Sequence, residues 1–100
     1  MSNQLTFNQA KDNNFERLEQ YIPIVDRVHG GNHPEFHDVR KIFGTIIKKS
    51  KEAGTGRPEL AEEFSQLRQI TDNYKVPGDV CESYEAVYKM LEEVDKAYSL

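Results

Sequence analysis

The chain has no tryptophan and one cysteine, Cys81, in 100 residues. A single cysteine excludes an intrachain disulfide and any multi-cysteine zinc or iron–sulfur ligation within one chain. No apolar run approaches the roughly 20 residues of a membrane span. The opening MSNQLTFNQAK lacks a charged stretch followed by an apolar one, so it does not read as a signal peptide. Positive charge is also in short supply, with 13 Lys and Arg against 17 Asp and Glu. That balance argues against broad binding to nucleic acid or to an anionic membrane, since both start with cationic side chains on phosphate. The one basic run, Lys48, Lys49 and Lys51, reads as a solvated helix end that suits the dipole. Strand-like alternation, internal repeats and low-complexity segments are missing as well. These exclusions point to a soluble, cytoplasmic protein.

What is present is helical periodicity. The charged and hydrophobic fractions, 30% and 37%, are ordinary for a globular chain, and the length suits one small domain. Residues 1–50 carry seven basic and six acidic groups, whereas residues 51–100 carry six and eleven. Phe7, Ala10, Phe15, Leu18, Tyr21, Ile22, Val25 and Val28 recur at intervals of three, four and seven. Thr6 with Gln9 reads as a capping box, and Pro23 predicts a kink or short break. A second helix starts near Asn32, with Glu35 as the return half of a box, Pro34 in its first turn and Gly54 as its stop. Its stripe is Phe36, Val39, Phe43, Ile46 and Ile47. Leu60, Phe64, Leu67 and Ile70 mark a third helix, and Val80, Tyr84, Val87, Tyr88, Leu91 and Val94 mark a fourth, capped by Asp79. The spacing predicts helices over 6–29, 33–53, 58–74 and 80–98. Four such helices with short links make an all-α, antiparallel up-down-up-down four-helix bundle. Its core should hold Phe15, Leu18, Ile22, Val25, Phe36, Val39, Phe43, Ile46, Leu60, Phe64, Leu67, Tyr84, Val87, Tyr88 and Leu91.

All three histidines, His29, His33 and His37, fall four apart within VHGGNHPEFHDVRKIF. Four is the spacing at which two imidazoles on one helix grip a metal ion. Gly30, Gly31 and Pro34 interrupt that helix, so the stretch reads first as the corner between helices 1 and 2. A single ion held by His29, His33 and His37, with Glu35 or Asp38 assisting, is the metal reading of the same corner. Glu82, Glu85, Glu92, Glu93 and Asp95 fall mainly on the outer face of helix 4. Cys81, in the first turn of that helix, reads as a small buried hydrophobe or, less often, as a thiolate favoured by the helix end. No Ser–His–Asp arrangement, phosphate-cradling glycine loop or paired acid/base carboxylates can be argued from the spacings, so nothing marks an enzyme.

Two stretches resemble a known family. VDRVHGGNHPEFHDVRKIF resembles the segment of the iron–sulfur cluster repair di-iron proteins in which Val-His ends one helix and His-Pro-Glu opens the next. ITDNYKVPGDVCESYEAVYKMLEEVDKAY is similar to that family's last turn and helix, with the proline, the cysteine and the Ala-x-Tyr step in the same order. The resemblance implies a hemerythrin-like bundle and a role in restoring iron–sulfur clusters under oxidative or nitrosative stress. It also implies non-haem iron, held in the family by histidines and carboxylates from all four helices. Here it places only His29 on a ligand position. Asn8, FGTIIKKSKEAG, and Arg57 with Glu59 stand where the family carries further ligands. The expectation is therefore a repair-related protein without the full di-iron site. Its partners would be proteins, iron–sulfur proteins among them, and a homo-oligomer stays open. The other reading is a metal-free helical module for protein–protein interaction or regulation.

Overall fold

The first helix starts where the capping residues place it. The Thr6 hydroxyl accepts from the Gln9 N–H at 3.1 Å, and the Gln9 side chain accepts from the Thr6 N–H at 3.0 Å. Two donors that a helix start leaves without partners are thereby satisfied. The computed structural model describes residues 6–54 and 56–99. Among them are α1 (Phe7–His29), α2 (Glu35–Ala53), α3 (Ala61–Thr71) and α4 (Glu82–Tyr98), with no strand. The fold is the expected all-α four-helix bundle. Helix α1 continues through Pro23, so the predicted interruption does not become a break. Among the described residues, no helix is long and apolar enough to cross a membrane.

Side-chain contacts fix the directions. Phe7 meets Tyr98 at one end of α1 and α4, with ring centres 5.4 Å apart, and His29 meets Cys81 at the other. These two helices are antiparallel. Lys49 near the end of α2 pairs with Glu63 near the start of α3 at 2.8 Å, and Asp26 of α1 pairs with Arg40 of α2 at 3.2 Å. All fifteen expected core residues are buried. Phe15 and Phe43 pack edge to face at 5.5 Å, and Phe36, Tyr84 and Tyr88 form a fully buried aromatic group. Such pairs add to the burial of their area. Val28, read as part of the α1 stripe, is instead 63% exposed, and Ile24 one turn earlier is 50% exposed.

Boundaries differ from the sequence expectation at the start of α2, at both ends of α3 and at the start of α4, which begins at Glu82 behind Cys81 with no side-chain cap, so Asp79 does not cap it. Helix α2 begins at Glu35 after Pro34 and has no side-chain cap, so the Asn32–Glu35 box does not form. The Glu35 carboxylate is engaged by His33 and Tyr84 instead. Helix α3 begins at Ala61, because the preceding residues are tied to the end of α4. The Tyr98 hydroxyl donates to the Pro58 carbonyl and accepts from the Leu60 N–H, both at 2.8 Å, and the Arg57 guanidinium lies 4.0 Å from the Tyr98 ring centre.

Helix α3 ends at Thr71, where Asp72, Asn73 and Tyr74 take φ values of 54°, 59° and 63°. This left-handed region is uncommon for residues other than glycine. It is held by Tyr74 N–H on the Thr71 hydroxyl at 2.8 Å and by the Tyr74 hydroxyl on Asp95 at 2.7 Å. Asp95 therefore does not lie on an outer acidic face. It is buried, and Arg68 donates to both its oxygens at 2.8 and 2.9 Å.

Candidate functional site

The turn after α1 is compact and helix-like. The His29 carbonyl accepts from Asn32 N–H at 3.0 Å and from His33 N–H at 2.8 Å, and the Pro34 carbonyl accepts from His37 N–H at 3.1 Å. His29 and His33 stay close, with ring centres 6.5 Å apart. The edge of this pair packs on Tyr84 of α4, whose ring centre is 5.5 Å from each imidazole.

The antiparallel course of α4 brings a second segment to the same corner. His29 Nε2 lies 3.2 Å from Cys81 Sγ, and His33 Nε2 lies 3.1 and 3.2 Å from the two oxygens of Asp79. His33 Nδ1 faces Glu35 at 3.1 Å. The same Glu35 oxygen accepts from the Tyr84 hydroxyl at 3.4 Å, and Tyr84 and Tyr88 share a hydrogen bond of 3.0 Å. Burial acts most strongly on His33 and draws its pKa down. The hydrogen bonds to Glu35 and Asp79, together with their charges, outweigh that effect and leave it raised. For Tyr84, burial and the bond to Tyr88 hold the hydroxyl well above its ordinary range, so it is a neutral donor.

Of the residues read as a metal corner, the fold brings His29, His33 and Glu35 together and sends His37 elsewhere. His37 is more than half exposed, and its Nδ1 lies 2.5 Å from Asp26 Oδ1 on the other side of the turn. Gly30 permits that approach, since a Cβ there would stand 2.6 Å from the His37 ring and run into the Asp26 carbonyl. The sequence reading missed Asp79 and Tyr84 as corner residues. Cys81, read as buried, is exposed as the N-cap of α4. The signal for these three was topological. A chain leaving α1 must meet the chain entering an antiparallel α4.

A two-iron centre does not fit the residues present. Such a centre needs carboxylates and histidines reaching inward from several helices. The buried carboxylates among the described residues are Asp26, Glu63 and Asp95, and each is already engaged: Asp26 by Arg40 and the His37 ring, Glu63 by Lys49, and Asp95 by Arg68. The histidines stand at the corner, and Phe36, Tyr84 and Tyr88 fill the interior beside it. No three His, Cys, Asp or Glu side chains among the described residues form a ready metal cluster. No protein-family model matches the chain. No solved structure matches it.

Proposed function

We propose that the chain acts in the repair or maintenance of iron–sulfur clusters under oxidative or nitrosative stress. It would work in the cytoplasm as a relative of the iron–sulfur cluster repair di-iron proteins, without a two-iron centre of its own. Its partners would be iron–sulfur proteins or other members of the same repair system. One observation supports this reading above the others. The two stretches that carry the resemblance, residues 25–43 and 70–98, meet at one corner through His29–Cys81 and His33–Asp79. Packing alone does not require two imidazoles, a thiol and two carboxylates to gather at a partly exposed end of the bundle.

The experiment is recovery of a [4Fe–4S] hydro-lyase in cells after a pulse of nitric oxide. Cells lacking this chain should regain the enzyme's activity more slowly, and expressing the chain should restore the rate. Equal recovery with and without it overturns the proposal. The second reading, a metal-free interaction module, draws on Ile24 and Val28, two large apolar side chains exposed one turn apart on α1. It predicts that Ile24→Asp with Val28→Asp abolishes capture of a partner while cluster recovery never depended on the chain.

A further inference from the structure

The two contacts at the corner have the spacing of ligands around one ion. Around a tetrahedral divalent metal, nitrogen and sulfur ligands stand about 3.5 Å apart and nitrogen and oxygen ligands about 3.3 Å apart. His29 Nε2 and Cys81 Sγ are 3.2 Å apart, and His33 Nε2 and Asp79 Oδ1 are 3.1 Å apart. Two imidazoles on one such ion have ring centres about 5 Å apart, against 6.5 Å for His29 and His33. The two pairs must therefore close by roughly 1–1.5 Å to share an ion. Closing that gap is a side-chain movement of His29 and His33, whose half-buried rings stand at the corner, with the exposed Asp79 and Cys81 beside them.

The orientation of His33 points the same way. Its Nδ1 is held by Glu35, and Glu35 is held by Tyr84, while Nε2 faces the other donors. A carboxylate on the far nitrogen is how a metal-binding histidine is usually fixed. A thiolate, two imidazoles and one carboxylate suit a borderline divalent ion such as zinc, iron(II) or cobalt(II), and not magnesium or calcium. We infer that the corner is a single-ion site for a borderline divalent metal, with His29, His33, Cys81 and Asp79 as ligands and Glu35 supporting His33. Binding replaces the Cys81 thiol proton with the metal, and the proton leaves to solvent. The inference rests on this geometry and not on the repair reading. Cluster recovery in cells and metal binding in the tube can fail separately.

The test titrates cobalt(II) into the reduced full chain and follows two signals. One is the thiolate-to-cobalt charge-transfer absorption in the near ultraviolet, and the other is metal bound per chain. One ion per chain with a charge-transfer band is expected, and zinc(II) should displace it. Cys81→Ser should remove the band. His29→Ala, His33→Ala and Glu35→Gln should each weaken binding by about 10–100-fold. His37→Ala should leave it unchanged, with circular dichroism verifying the fold of every variant. A wild-type chain that gives no charge-transfer band overturns the inference without recourse to any variant. So does a second tight ion, or a loss in His37→Ala equal to that in His29→Ala.

Discussion

Replacing Phe36 by Ala removes the ring on which the corner stands. Phe36 is fully buried, 5.0 Å from Tyr84 and stacked at 6.3 Å on Tyr88 with an interplanar angle of 3°. Phe→Ala in a core costs about 3–5 kcal/mol, the spread reflecting how far the site can collapse. Collapse is restricted here. Tyr84 is fully buried and tied by its hydroxyl to Tyr88 and Glu35, so it cannot swing into the space. The loss should fall near 4–5 kcal/mol, a large part of the stability of a small domain at about 5–15 kcal/mol. Phe43 provides the control. It has Phe15 as its ring partner and borders a shallow cleft with Glu19, Ile22, Pro23, Arg40, Gly44 and Ile47. Neighbours and water can relax there, and Phe43→Ala should cost nearer 3 kcal/mol. Urea unfolding at neutral pH, followed by far-ultraviolet circular dichroism, measures both. If Phe36→Ala proves too unstable to study, Phe36→Leu should lose less and keep the same slope. A loss below about 1.5 kcal/mol for Phe36→Ala, or a larger loss at Phe43, would refute the reasoning.

Three further outcomes follow from the same contacts. Asp95→Ala strands Arg68 and the Tyr74 hydroxyl at the left-handed turn; a fully buried pair would lose about 3–5 kcal/mol, but Arg68 is 41% exposed, so about 2 kcal/mol in urea unfolding is expected, and no change would remove the latch. Gly30→Ala drives a Cβ into the Asp26 carbonyl and the His37 ring and should lower stability by about 1–3 kcal/mol. Gly31→Ala, with open space around it, should stay within about 0.5 kcal/mol, and equal effects would contradict the crowding. Burial, the first cause for each, raises the pKa of Tyr74, Tyr84 and Tyr88 above the usual tyrosine value. Their protons are held more tightly in the folded chain than in the unfolded one. This contribution to stability is complete below pH of about 10 and is lost as pH rises beyond it. Absorbance of ionised tyrosine should therefore appear at these three sites together with loss of helix, and full ionisation near pH 10 with helix intact would exclude the shifts.

The helices and the core were legible because both depend on local period. Leu18, Ile22 and Val25 repeat at helical spacing and are buried as that spacing requires. The helix ends were less so, because distant residues set them. Pro58 and Leu60 are drawn into Tyr98, 40 and 38 residues away, which delays α3 to Ala61. Asp95 looked like one more acidic residue in a charged helix. Its burial follows from Arg68 and from a tyrosine in a left-handed turn, and neither has a signature in the spacing. Val28 shows the reverse. Its position fits the apolar stripe, yet it shares an exposed side of α1 with Ile24 one turn earlier, while His29 beside it takes the inward place against Tyr84 and Cys81.

The histidine corner was half legible for a reason that register makes clear. Spacing of four selects partners on a continuous helix, but the chain turns between His29 and His37, and His37 leaves towards Asp26. The partners of His29 and His33 lie 52 and 46 residues away, beyond any local pattern. They follow instead from the lengths of α1 and α4. With Phe7 set against Tyr98, α1 extends about 33 Å to His29, whereas α4 reaches back about 24 Å to Glu82. The remaining 9 Å or so is the reach of roughly three extended residues, and these are Asp79, Val80 and Cys81. A thiol and a carboxylate placed on that short approach must arrive beside whatever ends α1, and in this chain α1 ends in histidine.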